Sequence, residues 1–177
     1  MTDGAGRRAA IAALLEVAET PVSAACLAAR LGVSRQVIVG DIALLRAAGA
    51  LITATPRGYI VERGRGGLRR TVACIHSRPE GMERELNIMV DNGCTVLDVV
   101  IEHAVYGQLT GQLLLANRHD VAQFMERILA ERASPLSALT GGIHLHTLLC
   151  PDEEAYERTV RELDAAGILF VKKLNYG

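Results

Sequence analysis

"LGVSRQVIVGDIALLRAAG", residues 31–49, decides how the first third of the chain folds. Ser34 stands where a helix N-cap belongs, and Val37, Ile38, Ile42 and Leu45 recur behind it on one apolar helical face. Gly49 stops that helix. Ahead of it, Leu31-Gly32-Val33 is a tight turn whose glycine suits the left-handed backbone that ends a helix. The helix so ended lies in "TPVSAACLAARLG", residues 20–32, with Ser23 as its cap. Further upstream, "RRAAIAALLEVAE", residues 7–19, puts Ile11, Leu14, Leu15 and Ala18 on one face. Downstream, "LITATPRGYIVE", residues 51–62, alternates like a pair of strands around the turn signal Pro56-Arg57-Gly58. The result is three helices, a steep turn between the last two, and a hairpin.

Such a unit can serve DNA or another protein. The exposed residues that open the third helix, Ser34, Arg35 and Gln36, include the types that contact base edges in a major groove. Arg57 and Tyr59 at the hairpin can reach phosphate or the minor groove. A helical hairpin for protein contact, with solvated arginines, is the competing reading. Charge favours DNA. Residues 1–70 carry ten arginines against five acids, a balance of +5, whereas residues 71–177 carry nine basic residues against fifteen acids, a balance of −6. A basic module joined to an acidic one suggests two different partners. The first third resembles the winged helix-turn-helix of biotin-repressor-type regulators, which usually dimerise on palindromic sites. "RGRGG", residues 63–67, reads as a linker. We therefore place a DNA-binding domain at 1–62, a linker at 63–70 and a second domain at 71–177.

The second domain alternates strands and helices. Strands are expected near 71–77, 95–103, 111–117, 143–149 and 168–172, and helices near 80–92, 119–132 and 152–166. "PDEEAYERTVRELDAAG" is the clearest helix, with acids at its start, apolar Tyr156, Val160 and Leu163, and Gly167 at its stop. The β-α-β-β-α-β-α-β order implies an α+β chain whose second part is a ferredoxin-like sheet with helices on one face. Half the residues are hydrophobic but Trp is absent and only two Phe and four Tyr occur, so the core must be aliphatic. No apolar run reaches membrane-helix length. Cys26, Cys74, Cys94 and Cys150 are scattered and form no CxxC, which suggests reduced, mostly buried thiols in a cytoplasmic protein.

"GGIHLHTLL", residues 141–149, carries His144 and His146 on alternate strand positions, which share a face roughly 6–7 Å apart. His76 ends "TVACIH", with Cys74 on its face, and the helix after it offers Glu83 and Glu85. Three His and a carboxylate suit Zn²⁺, Ni²⁺ or Fe²⁺. On residues alone, a surface or hydrogen-bonded pair is the more frequent explanation of HxH. His119 reads as a solvated first-turn residue after the cap Asn117, and Asp152, Glu153 and Glu154 as partners of a helix dipole.

"CIHSRPEGMERELNIMVDNGCTVLDVVIEHAVYGQLTGQLLL" and "PLSALTGGIHLHTLLCPDEEAYERTVRELDAAG" resemble the 3H domain, named for its three histidine motifs. Behind a winged helix, the combination is similar to the niacin-responsive repressors of NAD biosynthesis. The resemblance spans nearly the whole chain. It implies a transition-metal site, nickel or zinc, on His76, Glu85, His144 and His146, with Glu83 as rival because the His76–Glu85 loop is about one residue longer than the pattern. It implies nicotinic acid as effector, operator DNA as partner and a homodimer, and no enzymatic role. His103 and Tyr106 in "EHAVYG" are assigned to the effector pocket or, on the simpler reading, to shaping a strand turn. The pattern has Pro after this His where this chain has Ala104. A metalloenzyme carrying a DNA-binding module and a regulator that senses metal alone are the alternatives.

Overall fold

A computed structural model describes residues 4–61, 67–76 and 79–170. It divides into two compact units, residues 1–65 and 66–177. In the first, α1 (Gly4–Val17), α2 (Ala24–Leu31) and α3 (Arg35–Ala47) precede a hairpin of β1 (Ile52–Thr55) and β2 (Gly58–Val61). The caps are those expected. Ser23 accepts from the Cys26 N–H at 3.1 Å and Ser34 from the Val37 N–H at 3.3 Å. Gly32 takes φ +64° and its N–H returns to the Ala28 carbonyl, which turns the chain steeply into α3. Ile11, Leu15, Leu27, Ile38, Ile42 and Ile52 form the core, each worth about 1.5–3 kcal/mol of burial. Val37 was expected on that face and is instead exposed, the adjacent Ile38 being the residue that enters the core.

One polar group lies in this small core. Asp41 is 4% exposed and holds Arg7 through Nε at 2.5 Å and Nη2 at 3.3 Å, joining α3 to α1. Asp41→Ala removes the buried carboxylate that Arg7 and Arg8 both face. We expect a loss of roughly 3 kcal/mol in equilibrium urea unfolding. A loss under about 1 kcal/mol would show that water screens the pair.

The second unit carries β3 (Leu68–Ile75), α4 (Pro79–Asp91), β4 (Thr95–His103), β5 (Gly107–Leu115), α5 (Arg118–Ala130), a 3₁₀ turn (Leu136–Thr140), β6 (Ile143–Cys150) and α6 (Glu153–Ala165). The α+β class and the βαββαβ order stand as expected. All neighbouring strands are antiparallel, in the order β3-β6-β4-β5, so each βαβ unit is split by a strand from the other. The helices cover one face through Met82, Leu86, Met89, Val121, Ala155 and Leu163.

Boundaries moved in three places. β3 begins at Leu68, inside the stretch expected as linker, since residues 68–70 pair with Cys150, Leu149 and Leu148; residues 63–66 of that stretch lie outside the described residues. β5 begins four residues earlier than expected. The Nδ1 of His103 accepts the N–H groups of Val105 and Tyr106 and Gly107 takes φ +68°, so the hairpin closes at once. The last strand is reduced to residues 168–170 alongside β3, with Ile75 N–H donating to Ile168 and Phe170 N–H to Ala73; 171 and 172 are not among the described residues.

The expectation of four reduced thiols is also corrected. Thr95 opposes Leu149 in the β4–β6 register, which sets Cys94 beside Cys150, and the two form a disulfide with Cα atoms 4.3 Å apart. Scattered sequence positions gave no hint of that register. Cys26 and Cys74 are free thiols.

Candidate functional site

β6 runs between β3 and β4, and His146 opposes Val72 on one side and Val99 on the other. His144 opposes Cys74. Val72 and Cys74 belong to the core beneath the helices, so both imidazoles enter the helix-covered face. α4 supplies the acid. Its buried residues Met82, Leu86 and Met89 carry Glu85 inward with them, and the Glu85 side chain is fully buried. His76, just past the end of β3, closes the group. His76 Nε2 lies 2.8 Å from Glu85 Oε2, His144 Nε2 3.1 Å from Oε1, and His146 Nε2 3.5 Å from Oε1. The ligand atoms of His76, Glu85 and His144 all fall within 4.8 Å of one another.

Two glycines make the room. A Cβ on Gly81 would sit 2.8 Å from the His76 Cβ, and one on Gly142 2.3 Å from the His76 carbonyl oxygen. Tautomers follow from the partners of the other ring nitrogens. His144 Nδ1 faces the Gly142 carbonyl at 2.9 Å and His146 Nδ1 the Asp98 carbonyl at 2.7 Å. A carbonyl only accepts, so both Nδ1 atoms must donate their hydrogens to it. In the neutral rings, both Nε2 lone pairs then point at a carboxylate. Lone pair against anion is repulsive in a buried site, so the arrangement calls for a cation between them, a proton or a metal ion.

The charges respond accordingly. Burial works against the Glu85 anion, but the charge of His146 and hydrogen bonds from His144 and His76 hold its carboxyl well below the usual range. Burial opposes the His144 imidazolium too, yet the hydrogen bond and charge of Glu85 outweigh it and raise its pKa. At His146 burial wins and the pKa falls. Burial, and then the negative charge of Glu85, push the Cys74 thiol up, which keeps it protonated and able to donate to the carboxylate.

In the first unit, Arg35 and Gln36 open α3 exposed, and Val39, Gly40 and Ala43 continue the same outward surface. Ser34 spends its oxygen on the cap, leaving its hydroxyl hydrogen for a phosphate. Tyr59 is less of a wing residue than expected, since its ring packs against the core cluster and its backbone bridges Val22. Gly58 touches the same segment, a Cβ there falling 2.3 Å from the Val22 carbonyl oxygen.

A family model for an HTH domain matches residues 7–60 and one for the 3H domain matches residues 69–172. The chain is 45% identical over 163 residues to a probable transcription repressor, NiaR, of Thermotoga maritima, covering 92% of this chain and 93% of that one. It is 42% identical over 170 residues to the transcription repressor NadR of Bacillus subtilis, covering 94% of each. The chain belongs to the 3H-domain transcription repressors.

Within this 3H domain, the structure gathers His76, Glu85, His144 and His146 and leaves Glu83 outside. Glu83 is exposed on the other side of α4, lining an open groove with Arg84, Asp91 and Arg118. The apolar spacing of Met82, Leu86 and Met89 was the signal that separates the two acids. His103 and Tyr106 stay apart from the cluster. His103 lies four residues up β4 from Val99, the neighbour of His146, or about 13 Å at strand rise. Its ring stands 5.1 Å from that of Tyr106, tilted by 33°, and Tyr106 is exposed. His119 is exposed on the first turn of α5, beside Gln123, and Glu153 is engaged by Arg70 at the surface. Gly81, Gly142 and the Asp98 carbonyl were missed as parts of the site, whereas Cys74, expected on the face of His76 as an alternative ligand, lies against Glu85. Among the described residues, no helix is long and apolar enough to cross a membrane.

If Arg35 reads a base, Arg35→Ala should weaken specific binding by roughly 1–3 kcal/mol and non-specific binding far less. Equal losses in gel-shift titrations on specific and random DNA would make it a phosphate contact.

Proposed function

We propose that this repressor controls genes of NAD biosynthesis or niacin uptake, binding operator DNA as a homodimer and responding to nicotinic acid. His76, Glu85, His144 and His146 would hold a divalent transition metal, nickel or zinc. The observation that carries this reading is the convergence of imidazole Nε2 atoms on the buried Glu85, with the His144 and His146 Nδ1 hydrogens fixed by carbonyls. Bound there, the ion supplies a fixed positive centre for an anionic ligand. The chain's own residues orient the imidazoles and exclude water. Turnover is less well served, because the one buried acid of the cluster is itself a ligand and Glu83 faces elsewhere.

His103 and Tyr106 are the proposed effector contacts at the hairpin, through the His103 ring edge and the Tyr106 hydroxyl. An effector alters DNA affinity only if it binds one arrangement of the DNA-reading heads better than another. The test is elemental analysis together with operator gel shifts, with and without nicotinate, on one preparation. Metal at one ion per chain and a nicotinate-dependent shift support the reading. Metal-loaded protein indifferent to nicotinate, or responsive to metal alone, overturns it. Tyr106→Ala should abolish the nicotinate response while keeping the metal.

A further inference from the structure

The two edges of the sheet are treated differently. Beside β3, residues 168–170 add backbone hydrogen bonds to Ile75 and Ala73. At the opposite edge, β5 pairs with β4 alone among the described residues. Its sequence, "GQLTGQLLL", has no charge and no proline. Natural edges are usually protected by Lys, Pro, bulges or a covering segment, because open backbone groups recruit another strand. Here Gln108 and Thr110 are exposed. The regular pairing with β4 runs from Gly107 to Gln112 and is interrupted beyond it, where Leu114 takes φ +54°.

The strand is also complementary to itself. Place two copies antiparallel about a two-fold axis at Thr110. Thr110 then meets Thr110, Gln108 meets Gln112, Leu109 meets Gly111 and Gly107 meets Leu113. One face matches hydroxyl with hydroxyl and amide with amide, both favourable cross-strand pairs. The other sets each leucine against a glycine, so no two bulky side chains compete. Gly111 suits this twice over, since a Cβ there would already press on Leu136 Cδ1 at 3.1 Å.

We propose that β5 is the dimer interface, pairing with β5 of a second copy to make one continuous eight-stranded sheet. A two-fold contact of this kind is isologous and closed, which matches a DNA reader whose single recognition helix covers only half a palindromic site. The proposal deepens the homodimer reading above and rests on it.

The test needs no DNA. Thr110→Cys places two thiols opposite each other across the axis, so mild oxidation should give a covalent dimer, judged against the unsubstituted chain. Gln108→Cys, four register positions from its own copy, should give none. Gln108→Lys with Gln112→Lys opposes like charges and should weaken dimerisation tenfold or more in sedimentation equilibrium. Gln108→Lys with Gln112→Glu opposes unlike charges and should restore it. A monomeric parent protein overturns the interface. So does a dimer that is indifferent to the double lysine change or cross-links equally through position 108. A chain that dimerises and cross-links as described but binds no operator sinks the repressor reading instead and leaves the interface standing.

Discussion

Glu85→Gln is expected to raise the dissociation constant for nickel or zinc by more than about 100-fold, beyond the 10- to 100-fold cost of losing a mere supporting contact. The amide nearly preserves the volume, so the fold has little reason to change. What disappears is the negative charge that the cluster's imidazoles share. Titration with metal under a competing chelator reads the constant directly. A second readout is thermal. Metal at 100 times its dissociation constant stabilises the folded parent by about 2.7 kcal/mol, and the variant should gain almost nothing at the same concentration. Acid should mimic the substitution. Protons compete for the Nε2 lone pairs, so metal retention falls as pH drops through the histidine range. Undiminished affinity in Glu85→Gln would mean that the metal sits elsewhere.

Gly142→Ala should be the most damaging single methyl in the second unit. Gly142 has φ +95°, which alanine adopts only under strain, and the new Cβ would meet the His76 carbonyl oxygen at 2.3 Å. That atom is backbone and cannot rotate away. Strain and overpacking together suggest a loss of about 3 kcal/mol in denaturant unfolding. The change also pushes β6 away from His76, so metal affinity should fall although no ligand was altered. Gly141→Ala, one position earlier and with open space around it, is the control and should cost only the strain of its own φ. A Gly142→Ala protein with full stability and full metal content would refute the close approach of β6 to His76.

Much of this was legible in the chain alone. Cap residues, apolar period and turn glycines act locally, so α3, its Ser34 cap and the Gly32 turn could be read residue by residue. The same holds for α6 and for the period-two placement of His144 and His146. The 3H motifs then named Glu85 but left Glu83 in play. Settling that needed only the buried face of α4, which the Met82-Leu86-Met89 spacing already marks.

Other features depended on which strands become neighbours. The β4–β6 register brings Cys94 to Cys150 although 56 residues separate them. The irregular pairing between Val96 and Asp98 accompanies the turn of the Asp98 carbonyl toward His146, and fixes that ring's tautomer. Neither follows from local preference, because each is set by side chains and carbonyls that meet only across the sheet. The sequence by itself determined the helices, their caps and turns, and the strand on which His144 and His146 share a face. Tertiary structure alone decided which nitrogen faces the carboxylate, which thiols join and which strand has a single neighbour among the described residues, since these depend on register and burial and not on any residue's own propensity.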